Sequence, residues 1–110
     1  MDRKPNVVSI RTMTRSHAQA KVRALATHSA NVILGKHAKD RMLERDITNT
    51  DVFRVLRSGS VDGVPTETER GEVKVKMVLR IRGSREVGVI TLILHGNRLF
   101  VKTVEWEDPS

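Results

Sequence analysis

Glu72-Val-Lys-Val-Lys-Met-Val-Leu-Arg-Ile-Arg82 alternates apolar and cationic side chains, and its period of two decides the fold. Val73, Val75, Met77, Leu79 and Ile81 face one way. Lys74, Lys76, Arg80 and Arg82 face the other, and Val78 breaks the pattern. Such a segment is a strand with one buried and one solvated face. Gly83-Ser84 turns the chain into Val87 to Leu94, which is apolar on both faces, as a central strand is. His95-Gly96-Asn97 makes the next turn, and Arg98 to Trp106 is the last strand. Upstream, Arg70-Gly71 is a turn and Val64 to Glu69 an edge strand, weakened at its start by Pro65. The four strands form an antiparallel meander.

Before residue 60 the period lengthens. Thr48-Asn-Thr-Asp51 has the spacing of a relaxed capping box. Val52, Val55 and Leu56 then make an apolar stripe with Phe53 beside it, and Gly59 stands where a C-cap glycine belongs. Lys36 to Arg45 reads as another helix, broken by Asp46-Ile47. Asn31 to Leu34 is a short strand stopped by Gly35. Ala18, Val22 and Leu25 put a narrow stripe on a helix from Thr12 to His28, which Thr12, Thr14 or Ser16 can cap. Residues 1–11, with Pro5, read as a loose arm. The expected architecture is α+β: a basic arm and helix over 1–30, then two short helices packed on an antiparallel meander over 31–110.

A chain of 110 residues fits one domain and can bury a core without disulfides or metals. It has no cysteine, which excludes thiolate catalysis and suits a reducing cytoplasm. No apolar run approaches the roughly 20 residues of a membrane helix, so no membrane is expected as a partner. The net charge of +7 lies in the first 45 residues, where ten Lys/Arg meet three Asp/Glu. Residues 46–110 hold ten of each. A one-sided positive field draws polyanions, RNA foremost, or an acidic protein. With Phe53, Phe100 and Trp106 as its whole aromatic complement, the chain is no RRM- or OB-type stacking platform.

Chemistry concentrates in Lys36-His-Ala-Lys-Asp-Arg-Met-Leu-Glu-Arg45. At about 100° per residue, His37, Arg41, Glu44 and Arg45 share a face. Guanidiniums bind phosphate oxygens bidentately, and an imidazole moves protons near neutrality, so His37, Arg41 and Arg45 are the candidate catalytic residues for a phosphodiester. The same spacing also suits an ordinary solvated helix with Glu44 paired to Arg41. Lys74, Lys76, Arg80 and Arg82 are expected to line an open, positive sheet face for a nucleic-acid backbone, although exposed strand faces are commonly charged. Arg15, Lys21 and Arg23 extend that basic surface. Glu105 is a weaker general-base candidate. The four histidines show no metal-ligand spacing, and no phosphate-binding glycine loop occurs, so neither metal nor cofactor is expected.

The stretch His37-Ala-Lys-Asp-Arg41-Met-Leu-Glu-Arg45-Asp-Ile47-Thr, with Asp51-Val-Phe-Arg-Val-Leu-Arg-Ser-Gly59 and the closing Val101-Lys-Thr-Val-Glu-Trp106, resembles a bacterial family of small domains of unassigned function. Its mark is His-Ala-x-x-Arg-Met-x-x-Arg on the first helix, and its members are distantly similar to RelE-type and BrnT-type ribonuclease toxins. The resemblance covers residues 31–107. It implies a RelE-like fold and metal-independent RNA cleavage by ribose 2′-hydroxyl attack, with an acidic antitoxin as protein partner. The sequence departs from some such toxins in having no tyrosine. Three functions follow as expectations: a toxin-like RNA-binding or RNA-cleaving domain, a non-enzymatic nucleic-acid-binding regulator, and an interaction module for an acidic partner.

Overall fold

In the computed structural model, which describes residues 13–107, the Thr14 hydroxyl accepts the His17 backbone N–H at 3.1 Å and starts helix α1, Arg15–Ala26. A single 3-10 turn, Ser29–Asn31, leads into strand β1, Val32–Leu34. Helix α2 is Lys36–Arg45 and α3 is Asn49–Ser58. Asp46 takes the left-handed conformation (φ 57°) between them, which stops α2 within one residue. The capping box closes: Asp51 N donates to the Thr48 hydroxyl at 3.1 Å, and Thr48 N donates to the Asp51 carboxylate at 3.0 Å. Strands follow as β2 (Ser60–Val61), β3 (Thr66–Glu67), β4 (Val73–Arg82), β5 (Arg85–Leu94) and β6 (Arg98–Trp106).

The α+β class stands, and the sheet is mixed where an antiparallel meander was expected. Its order is β1-β6-β5-β4-β2, with β3 also on β4. β1 runs parallel to β6, Val32 beside Leu99 and Leu34 beside Val101. Gly35 N extends that pairing to Val101 O at 3.0 Å, and α2 then continues along the edge of β6. The reason is geometric: a period of two identifies a strand but carries no information on its partner or direction. A Cβ at Gly35 would clash with the Phe100 ring and crowd the Val101 carbonyl, so only glycine lets the chain leave the sheet this closely.

Alternate residues of β4, β5 and β6 point at the helices, with the alternation of β6 shifted by one residue between Val101 and Thr103. Val75, Met77, Val89, Leu99, Val101 and Val104 are all buried there, against Val52, Val55 and Leu56 of α3. α1 joins the same core: Ala18, Val22 and Ala26 are fully buried. The helix of the 1–30 segment is therefore part of the packed layer. Arg23 ties it down further, donating to Gly59 O at 2.7 Å and Ser58 O at 3.2 Å, the carbonyls at the C-terminus of α3. The loose arm, residues 1–11 with Arg3, Lys4 and Arg11, lies outside the described residues.

Candidate functional site

α2 buries Ala38 and Met42 and turns its remaining faces outward. The Trp106 indole N–H donates to Arg45 O at 2.8 Å, which fixes the end of α2 against the end of β6. His37 is exposed and makes no hydrogen bond or ion pair among the described residues. Arg41 pairs with Glu44 at 2.6 Å on the helix surface. At about 1.5 Å of rise per residue, His37 stands roughly 12 Å along the axis from Arg45. The expected trio is thus a ladder along one helix edge, each rung one turn from the next.

The strand cations are not one uniform trough. Lys74 and Arg80 are exposed and form no salt bridge among the described residues. Lys76 is enclosed by three carboxylates: Glu107 at 2.7 Å, Glu105 at 3.2 Å and Asp62 at 3.6 Å. Arg82 leaves the expected face. The register shifts between Arg80 and Arg82, and Arg82 turns to the helix layer, donating to Asp51 at 2.9 Å. A bulge adds a residue and so reverses the alternation beyond it. Arg82 also lies 5.6 Å from the Trp106 ring centroid, with Arg85 at 4.0 Å. Of the cations expected on the N-terminal side, Lys21 donates to Asn97 Oδ1 at 3.2 Å, Arg23 is the α3 clasp, and Arg15 is exposed.

The cluster at Lys76 was not legible as a unit, since only Lys76 and Glu105 of it drew notice. It sits on the open sheet face where β5 contributes Gly88, directly opposite Glu105 on β6 and Val78 on β4. Any Cβ at Gly88 would collide with the Glu107 carboxylate and touch the Lys76 side chain, so glycine at this position makes the cluster possible. Two signals pointed to it: a glycine inside an otherwise apolar strand, and two glutamates spaced i, i+2 on the last strand, hence on one face.

The carboxyls are not equivalent. Burial pushes Glu105 upward, but hydrogen bonds from Glu107 and Lys76 and the charges of Lys76 and Arg45 outweigh it, so Glu105 titrates below the usual 4.5. Burial pushes Glu107 above 4.5; the Lys76 hydrogen bond opposes this, and the shared contact with Glu105 adds to it. Burial would lower Lys76, but the two glutamates together hold its ammonium above 10.5. Glu107 Oε2 is buried without a hydrogen-bond partner, while Glu107 Oε1 meets the Lys76 ammonium at 2.7 Å. The result is two carboxyls with opposed shifts around one ammonium, and the Arg45 charge at the end of α2 is felt at Glu105.

These features define a small α+β domain with helices on one sheet face and an acid–base cluster on the other. Residues 34–106 match a family described as a domain of unknown function (DUF4258), and the chain belongs to that family. No curated protein and no solved structure matches it. The matched span holds α2, Lys76, Gly88 and Glu105. It leaves out α1, although α1 packs on the same core.

Proposed function

We propose that this domain binds RNA along the outer edge of α2 and cleaves it, without a metal ion, at the Arg45 end. The observation that carries this is the convergence of Arg45, Glu105, Lys76 and Glu107, in which environment drives two carboxyls apart in proton affinity. The Glu105 carboxylate takes the proton of a ribose 2′-hydroxyl. That oxygen attacks the adjacent phosphorus, Lys76 and Arg45 stabilise the added negative charge, and Glu107 gives its proton to the departing 5′-oxygen. The products are a 2′,3′-cyclic phosphate and a 5′-hydroxyl end. His37 and Arg41 hold the strand at neighbouring phosphates. The distant resemblance of members of the family to RelE- and BrnT-type ribonuclease toxins, as read from the sequence, suits the same chemistry.

The test is cleavage of a labelled RNA in EDTA. Glu105→Gln should lower the rate by about 10²–10⁴-fold, the usual worth of a general base, with RNA affinity little changed. DNA should bind and stay intact. If His37→Ala causes that loss and Glu105→Gln does not, the proton moves through the imidazole. Purified wild-type protein that cleaves no RNA leaves a non-enzymatic binder.

A second reading rests on a separate observation. Leu43 is 85% exposed beside a cavity of about 410 Å³ between α2 and α3, which Met42 and Ile47 also line. An exposed apolar patch of this kind suits a protein partner, and the acidic antitoxin implied by the resemblance would meet Lys39 there.

A further inference from the structure

The outer face of α3 holds a second set of cations, and these are not neutralised. A cavity of about 380 Å³ lies along this helix and is closed at one side by Ser29. Its walls are Phe53, Arg54 and Arg57, the hydroxyls of Ser29, Thr50 and Ser58, and the Asn49 amide. No carboxylate lines it, and neither arginine has an acidic partner among the described residues. Arg57 is held in place: its Nε donates to Ala26 O at 2.7 Å, and its guanidinium lies 4.8 Å from the Phe53 ring centroid. The guanidinium thus lies over the Phe53 ring, and Arg57 is otherwise exposed. Arg54 is exposed and unpaired.

We propose that this cavity binds a phosphorylated nucleoside unit, either a free nucleotide or one residue of an RNA strand. The base extends the Phe53–Arg57 stack over the guanidinium, a surface on which nucleobases pack well. Arg54 takes the phosphate. The three hydroxyls and the Asn49 amide supply the donors and acceptors that ribose and base edges need. The volume is at the small end for ligand sites, which suits one nucleotide. The site is on the helix layer and the Lys76 cluster is on the open sheet face, so nucleotide binding here does not depend on cleavage there.

The experiment is an amide NMR titration of the whole chain with inorganic phosphate, adenosine 5′-monophosphate and a short 2′-O-methyl oligoribonucleotide, which has no 2′-hydroxyl to attack its phosphates, each in turn. Shifts should centre on Ser29, Asn49, Thr50 and Ser58. Adenosine monophosphate should bind more tightly than phosphate. Arg54→Ala, at an exposed residue that the fold does not use, should weaken all three by about tenfold. Phe53→Leu, which removes the platform under Arg57, should weaken the two nucleotide ligands and leave phosphate unchanged. Glu105→Gln should alter none of these affinities, which separates the site from the cleavage reading. Saturation by the monophosphate at or below the oligonucleotide concentration assigns a free nucleotide; the reverse assigns an RNA residue. Two outcomes overturn the proposal. One is the absence of shifts at these amides with every ligand. The other is equal affinity for phosphate and monophosphate in both the wild type and Phe53→Leu.

Discussion

β4 and α3 both carry cations on their solvent side, and the two regions treat them in opposite ways. On β4, Lys76 meets Asp62, Glu105 and Glu107, and Arg82 meets Asp51. On α3, Arg54 and Arg57 meet no carboxylate among the described residues. The difference comes from neighbours. A strand residue shares its face with strands on both sides, so Lys76 reaches across Gly88 to glutamates from β6. On the outer side of α3, Arg57 has Phe53 of its own helix and the Ala26 carbonyl of α1 as neighbours, and neither is a carboxylate. The charges of Lys76 and Arg82 are thus spent on internal contacts, whereas Arg54 and Arg57, like the exposed Lys74 and Arg80 at other positions of β4, form no salt bridge among the described residues.

The comparison treats α1 and α3 as one layer, and removing α1 is the severest way to break it. Deleting residues 1–29 takes away three fully buried side chains and the Arg23 clasp. Loss of that packing should abolish the cooperative thermal transition, whereas a chain beginning at residue 13 should melt like the full one. Circular dichroism on the two truncations decides it. A folded 30–110 fragment would mean that α1 is an accessory.

Replacing one cation from each region sharpens the contrast directly. Lys76→Ala leaves three carboxylates facing one another without their ammonium, and should lower stability by about 1–3 kcal/mol. Arg54→Ala should stay within about 0.5 kcal/mol of wild type. Urea unfolding of both variants measures the difference; equal losses would show that the Lys76 contacts add nothing to the fold.

The smallest effect is the pH dependence of the cluster, and its sign is fixed by two opposed shifts. Glu107 binds its proton more tightly folded than unfolded, so its contribution is full below 4.5 and is lost as pH rises through its raised folded value. Glu105 is the reverse: its contribution is full above 4.5 and is lost as pH falls through its lowered folded value. Together they make the pair most favourable near the ordinary glutamate range, with a decline on either side. Glu107→Gln should remove the decline on the alkaline side and leave the acid one. Thermal melts of both proteins from about pH 3 to 8 would show this, and an unaltered alkaline limb would refute it.

The open face of the sheet was legible in part. The alternation in β4 placed Lys74, Lys76 and Arg80 on one side, because side-chain direction in a strand follows from residue parity alone. Arg82 escaped that logic through one bulge, which no composition signal marks. The capping box of α3 was readable to the residue, since Thr48 and Asp51 need only local geometry to bond. Phe53 was placed beside the apolar stripe of its helix, but Arg54 and Arg57 were not singled out, and the cavity the three line is closed by Ser29, some twenty residues earlier in the chain.

The sequence by itself determined the α+β class, the period of each long element, the capping box of α3 and the excess of positive charge near the N-terminus. All of these depend on residues within a turn or two of one another, where backbone sterics and local hydrogen bonds set the outcome. Tertiary structure alone decided that β1 runs parallel to β6, that α1 enters the core, and that Asp62, Lys76, Gly88, Glu105 and Glu107 meet at one point. These contacts join residues tens of positions apart. Their pairing is chosen by which apolar faces can be buried together, a property of the whole packed layer that no single segment carries.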